Sequence, residues 1–372
     1  MYQIDPDIHK AATLPGKFYN SHEVFELSKE KIFGKCWHYI GEENLVKLAG
    51  QVYPFTLLEG ILDEPMLLTK DENEKIHCLS NVCTHRANLV CSHAGQIKNL
   101  QCPYHGKRFK LDGEFMTMPE FKEAENFPTN ADNLPKAPLE KWANMLFTSV
   151  DPLFSLDKFM GEMQARLSWM PLDNLIFVPK MSRDYLVKAN WMLYCDNYLE
   201  GFHIPFIHAG LNNLLDYGNY TSELYPLSNL QLGIAKKGEA CFDLPTGSPD
   251  YGKEVAAYYY FIFPNMMFNF YPWGLSMNVV RPLSPSMTKV SFLTFSYTPD
   301  DIDTVVESNL DKVEREDEVV VESVQQGVRS RFYHAGRYSP KMEKGVHHFH
   351  QLLTKFLYNT DFSLEGEWIV VN

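Results

Sequence analysis

Positive charge is scarce in this chain: 34 lysines and arginines face 47 aspartates and glutamates, a formal net charge of −13. Nucleic acid demands a basic footprint, so the deficit argues against a nucleic-acid partner. It is compatible with a cationic substrate or a basic redox partner, although solubility alone explains it equally well. Long apolar runs are also missing. None approaches the ~18 consecutive apolar residues of a membrane span, and no membrane partner is expected. Met1-Tyr-Gln-Ile-Asp-Pro-Asp7 has neither the basic nor the apolar region of a secretory signal. Seven cysteines in 372 residues do not make a disulfide scaffold, and the expected setting is a reducing cytoplasm. Neither G-x-G-x-x-G nor G-x-x-x-x-G-K-[ST] occurs, so any oxidation of NAD(P)H must happen on another chain. There are no internal repeats and no low-complexity tract. What is present, 45% hydrophobic and 22% charged residues, is ordinary globular composition at a length that suits two domains.

Against that background one constellation stands out. Cys83-Thr-His85 is followed, after sixteen residues, by Cys102-Pro-Tyr-His105. Two cysteines and two histidines from paired loops are what a Rieske [2Fe–2S] centre requires, because His₂ replaces Cys₂ on one of its two irons. Neutral imidazoles remove negative charge, so such a cluster sits at roughly −150 to +300 mV and accepts electrons from a low-potential donor. Zinc is the competing metal, since Cys₂His₂ also suits a tetrahedral site. Zinc fingers, however, group their cysteines together and their histidines together, whereas each arm here mixes the two. Pro103 and Gly106 mark the second arm as a loop.

From about Trp37 to Pro152, short apolar runs broken by turn residues predict a β-rich domain. Strands are expected at Phe55–Leu58, Met66–Thr69 and Ile76–Leu79, with a tight hairpin turning at Asp112-Gly113. Residues 119–138 hold four prolines and read as a wandering connection. Beyond 155 helices enter. One is expected over Phe159–Leu167, another from Trp191 to Ile204, and a long amphipathic one from Asp300 to about Tyr333. Strands are expected at Tyr258–Phe263, Met266–Tyr271 and Lys289–Tyr297. Helices around a sheet make this second part α+β.

Glu200-Gly-Phe-His203-Ile-Pro-Phe-Ile-His208 is the second constellation. Two imidazoles and a carboxylate form the facial triad of non-heme Fe(II) oxygenases, which leaves positions open for O₂. Glu200 and His203, three apart, are expected on one helical face, with Pro205 ending the helix so that His208 swings back. The carboxylate is sought on the long helix. Val306, Leu310, Val313, Asp317, Val320, Val324 and Val328 read as one stripe, with Asp317 its only polar member. Buried carboxylates are costly unless paired or metal-bound, so Asp317 is the expected third ligand. Glu314, Glu316 and Glu318 are expected on a solvated face.

The run Cys83-Thr-His85-Arg86 with Cys102-Pro-Tyr-His105-Gly106 resembles the Rieske domain of Rieske non-heme iron oxygenases. Cys91-Ser92-His93, the other Cys-x-His step, then reads as ordinary loop. The family often has tryptophan after the His-Gly step, where this chain has Lys107. Asn190-Trp191, Asp196-Asn-Tyr-Leu-Glu200-Gly-Phe-His203-Ile-Pro-Phe-Ile-His208 and Glu322-Ser-Val-Gln325-Gln-Gly327 are similar to the catalytic segments of that family's α subunits. The resemblance implies an all-β Rieske [2Fe–2S] domain at 37–152. It also implies an α+β helix-grip (START-like) catalytic domain formed by 1–36 and 153–372. It implies Fe(II) on His203, His208 and Asp317, and a head-to-tail homotrimer in which Glu200 carries electrons between subunits. The electrons would come from NAD(P)H through a separate flavin- or ferredoxin-type reductase. Many ring-hydroxylating members carry Asp at the bridge. Glu200 is similar instead to the monooxygenases of quaternary ammonium compounds (choline, glycine betaine, proline betaine, carnitine). Of the aromatic residues from Tyr258 to Trp273 a few, with Tyr260, Phe263, Phe268 and Phe270 foremost, are expected to line the substrate pocket, where a cage can hold an ammonium by cation–π attraction, while core packing explains most of them equally well. Two alternatives stay open: oxidation of an aromatic acid, and an electron-transfer or redox-sensing Rieske protein with no mononuclear iron.

Overall fold

The computed structural model describes residues 2–208, 210, 216–298 and 304–359, with side chains from 311 onward in the last segment. The chain forms two compact units, Gly34–Leu153, and Met1–Phe33 together with Phe154–Asn372. No described helix is long and apolar enough to cross a membrane.

The smaller unit is built of three antiparallel sheets. The largest has five strands in the order Gly95–Gln96, Gln51–Leu57, Glu64–Lys70, Ile76–Ser80, Lys136–Ala137. A three-stranded sheet orders Leu100–Gln101, Arg108–Phe109 and Phe115–Thr117. The hairpin expected at Asp112-Gly113 is present. Gly113 takes φ +88°, where a Cβ would be strained and would also press on Leu79 and Leu134. Val52, Leu67, Leu79, Val90, Leu100, Phe109, Leu111 and Leu134 form one core, and the thiols of Cys83 and Cys102 are part of it.

The larger unit is an eight-stranded antiparallel sheet. Its order is Ile176–Phe177, Met287–Ser296, Gly274–Ser284, Met266–Tyr271, Val255–Ile262, Ser228–Ile234, Thr221–Tyr225, with Arg183–Val187 also pairing Met287–Ser296. Facing partners share a side of a sheet, so the register Gln231↔Tyr259↔Asn269 and Leu230↔Tyr260↔Phe268 separates two faces. The first face carries helices. Tyr198, at the end of the helix Trp191–Tyr198, donates its hydroxyl to Asn269 Oδ1 at 2.8 Å, and its carbonyl accepts from Gln231 at 2.7 Å. Phe261 and Phe263 pack there on Phe349 of the helix Lys344–Tyr358. The second face carries Tyr258 and Tyr260 over a buried ion network. Arg166 reaches both Glu223 and the fully buried Asp250, each in a two-pronged pair.

The long helix spans Thr304–Gly327; the expected start at Asp300 and the side chains of Val306 and Leu310 lie outside the described residues. Its buried face is phased differently from the expected valine stripe. Glu314 (2% exposed), Val321, Gln325 and Val328 point inward, whereas Val319 and Val324 are exposed. The helix is pinned by side chains of the Glu322–Gly327 motif. Glu322 accepts from the Lys188 backbone N–H at 2.9 Å, and Gln325 accepts from that of Asn190 at 2.7 Å. Asn190 in turn caps the helix Trp191–Tyr198, accepting from the Met192 N–H at 2.9 Å.

Candidate metal centres

In the smaller unit the two ligand loops share one hydrogen-bond pattern. Cys83 N–H donates to Asn88 O and Ala87 N–H to Cys83 O; Cys102 N–H donates to Lys107 O and Gly106 N–H to Cys102 O. Each cysteine therefore opens a turn whose fifth residue has positive φ, 55° at Ala87 and 73° at Gly106. The thiols point into the core, 3% and 2% exposed, while the two imidazoles stay half-buried and meet edge to face at 4.7 Å. Burial raises the Cys83 thiol above its usual range and the adjacent Cys102 thiol adds to it. Burial and the His105 ring lower His85, which keeps it neutral, the form that binds metals. His105 Nδ1 is buried with no hydrogen-bond partner. Cys91 and His93 lie in the loop outside this set, bonded to each other through Sγ and a main-chain carbonyl.

The second site sits where the helix Trp191–Tyr198 stops. The helix does not continue to Ile204 as the sequence pattern suggested. Residues 199–203 form a turn, and Pro205 stands in the first turn of a new short helix, Ile204–Ile207, where its missing N–H costs nothing. Glu200 makes the break by accepting from the backbone N–H groups of Phe202 and His203. Gly201 is required there, because a Cβ would lie 2.7 Å from the Tyr220 ring. Glu200 and His203 consequently meet across a turn and not along a helical face.

His203, His208 and Asp317 each bring one donor atom to within 4.8 Å of the others, the only such group of three among the described residues. His208 Nε2 lies 3.0 Å and His203 Nε2 3.6 Å from Asp317 Oδ1. The opposite nitrogen of each ring is also held by a carboxylate, His203 Nδ1 by Glu200 at 2.7 Å and His208 Nδ1 by Glu316 at 2.8 Å. This fixes both rings so that Nε2 faces the centre, the arrangement usual for metal-bound histidine. Burial disfavours charge on His208, but Asp317 and Glu316 outweigh it and raise its pKa. A cation between the rings and Asp317 displaces that proton.

Two expectations are corrected here. Glu314 and Glu316 are not on a solvated face. Glu316 holds His208, and Glu314 is buried one turn before Asp317, where burial pushes its pKa well above the usual carboxylate range and it accepts from Tyr194 Oη at 2.6 Å. The aromatic four are divided between the two faces of the sheet. Tyr260, Phe268 and Phe270 lie on the sheet face opposite the helices Trp191–Tyr198 and Lys344–Tyr358, and Phe263 packs on Phe349 and Phe356. The aromatic group behind the Glu200–His203 turn consists of Tyr220, against Gly201, with Tyr198, Tyr259 and Tyr271. Strand alternation offers both faces as candidates, and only the register chooses between them.

The model of the Rieske [2Fe-2S] domain matches residues 36–128, and that of the ring hydroxylating alpha subunit (catalytic domain) matches residues 172–358. The chain belongs to the ring-hydroxylating alpha subunit family of Rieske non-heme iron oxygenases. It is 31% identical to the chloroplastic choline monooxygenase of Arabidopsis thaliana, over 94% of this chain and 85% of that protein. It is 28% identical to the carnitine monooxygenase oxygenase subunit of Escherichia coli (strain K12), over 93% and 94%. The fold is that of the quaternary ammonium Rieske monooxygenase CntA, with a TM-score of 0.77 at 22% identity over 96% of this chain and 99% of that one. Enzymes of this family carry a Rieske cluster and a mononuclear iron that reacts with O₂, and they take electrons from a separate reductase.

Proposed function

We propose that the protein is the oxygenase component of a system that hydroxylates a quaternary ammonium compound at an N-methyl or neighbouring carbon. Hydroxylation at N-methyl collapses to demethylation with release of formaldehyde. Cys83, His85, Cys102 and His105 would hold the cluster, and His203, His208 and Asp317 the ferrous ion. When bound, the two groups supply electron storage and oxygen activation respectively. The residues of the chain do the rest. Glu200 and Glu316 orient the two imidazoles, Tyr194 and Glu314 brace the helix that carries Asp317, and the fold buries His208 while His203 and Asp317 stay partly open to solvent.

The observation that carries the reading is the doubly anchored trio, with Glu200 at the outer end of His203. Beside Glu200, Phe202 and Phe206 are 42% and 78% exposed, an apolar pair suited to a second copy of the chain. The proposed assembly is therefore a cytoplasmic head-to-tail homotrimer, a closed heterologous ring. In that assembly Glu200 would be the residue that links one protomer's cluster ligands to the neighbour's His203, with an NAD(P)H-dependent flavin- or ferredoxin-type reductase as the source of electrons. The substrate class is supported by the choline and carnitine relatives and by Glu200 itself.

The test is product analysis with a competent reductase. Carnitine, choline and glycine betaine are expected to give hydroxylated or demethylated product with matching O₂ uptake. Oxidation of benzoate-like acids alone would overturn the substrate assignment. A second expectation concerns Glu316. Its replacement by glutamine should weaken ferrous binding about 10–100-fold, as loss of a ligand-orienting carboxylate does, while the cluster's absorption is unchanged. Equal iron affinity in equilibrium dialysis would remove Glu316 from the site.

A further inference from the structure

One charged side chain of the smaller unit is folded inward. Lys107 is 2% exposed. Its ammonium donates to Thr84 Oγ1 at 2.8 Å and to Asp132 Oδ1 at 2.9 Å. It also lies 5.6, 5.3 and 5.7 Å from the ring centroids of Phe109, Phe115 and Phe127. Thr84 stands between Cys83 and His85, and its hydroxyl passes a bond on to the Asp132 carbonyl at 2.9 Å. Lys107 also closes the other loop, since its carbonyl accepts from Cys102 N–H at 2.9 Å. This ammonium is therefore attached to both ligand loops at once.

Burying an ammonium is costly even when it is paired, and an apolar side chain of similar volume usually serves packing as well. Three rings around the cation recover part of that cost, but they do not explain why a cation is there. A charge in a poorly screened interior acts strongly on any neighbouring charge that changes. Beside these loops the changing charge is one electron, added when the cluster is reduced. The counter-ion Asp132 is on the wetter side, with 18% of its side chain exposed against 2% for Lys107, so solvent screens the carboxylate more than the ammonium.

We propose that Lys107 is a fixed positive charge that raises the reduction potential of the cluster, with Asp132 as a counterweight that lowers it. The inference rests on the reading of Cys83, His85, Cys102 and His105 as cluster ligands. Each one-electron reduction adds a negative charge that the ammonium favours and the carboxylate disfavours, so the two variants must move the potential in opposite directions. A role confined to tying the loops together gives no such sign change.

The experiment is a dithionite titration with redox mediators of the purified full-length holoprotein, followed by its electron paramagnetic resonance signal, alongside thermal melting. Lys107→Met should make one-electron reduction about tenfold less favourable, a fall of about 59 mV. Asp132→Asn should shift the potential upward. Both should melt earlier, since each breaks the ion pair. Unmoved potentials, or shifts of the same sign, overturn the inference while leaving the cluster assignment intact. If Lys107→Met does not fold, Asp132→Asn decides alone: a rise supports the fixed charge, and no rise overturns it. Wild-type protein without a Rieske signal would instead overturn the cluster assignment, and this inference with it.

Discussion

Replacing His203 with alanine is expected to lower the iron content from about three atoms per chain to about two and to abolish substrate oxidation, with the Rieske signal intact. The reason is geometric. Asp317 Oδ1 meets one nitrogen from each imidazole, and alanine leaves two donors where ferrous ion needs three. Several kcal/mol of metal-dependent stabilisation are at stake, which at 1.36 kcal/mol per decade means a loss beyond about 10³-fold. His208→Ala and Asp317→Ala should behave alike, and His93→Ala, outside both sets, should change neither iron nor turnover. Metal analysis with a product assay checks this. Full iron retention and undiminished turnover in His203→Ala would show that the trio is a buried ion pair and not a metal site.

The loops and the trio were legible in the sequence because their chemistry is local. Cys-x-His and Cys-x-x-His fix their own turns, as the repeated bonding of Cys83 to Asn88 and Cys102 to Lys107 shows. Asp317 was also reached, though through a stripe whose phase is wrong. Valines at 319 and 324 face outward, and the carboxyl of Glu314 faces inward. Hydrophobic periodicity assumes that acids avoid the interior, and it fails where a distant hydroxyl, here that of Tyr194, receives the acid. The break after Tyr198 was hidden for a related reason. A helix ends where its N–H and C=O groups find other partners, and here the partner is Glu200, a residue with good helical propensity. The aromatic strands failed differently. Tyr258–Phe263 is apolar on both faces, so alternation carries no information about which rings meet the helices. That choice is made by Tyr198 bonding to Asn269, a contact 71 residues long.

Changing Glu200 to glutamine is expected to leave both metal centres loaded and yet lower substrate oxidation by about 10²-fold or more, the scale seen when a single functional polar contact is lost. Glu200 now accepts from the backbone N–H groups of Phe202 and His203 with Oε2 and faces His203 Nδ1 with Oε1, and glutamine's one oxygen can keep only the first of these contacts. The turn therefore survives while the hold on the His203 ring weakens, and iron binding should fall no more than it does for Glu316→Gln, so both proteins are compared with ferrous ion in excess and both centres loaded. The variant loses the negative charge that makes His203 electron-rich and that offers a second oxygen to a group from outside the protomer. The discriminating measurement is a single turnover without free reductase. The pre-reduced cluster, in the presence of substrate and O₂, should be reoxidised rapidly in the wild type and slowly in the variant, with equal iron in both. Reoxidation at the wild-type rate would deny Glu200 any part in electron passage. Loss of the mononuclear iron would reduce it to a residue that merely holds His203.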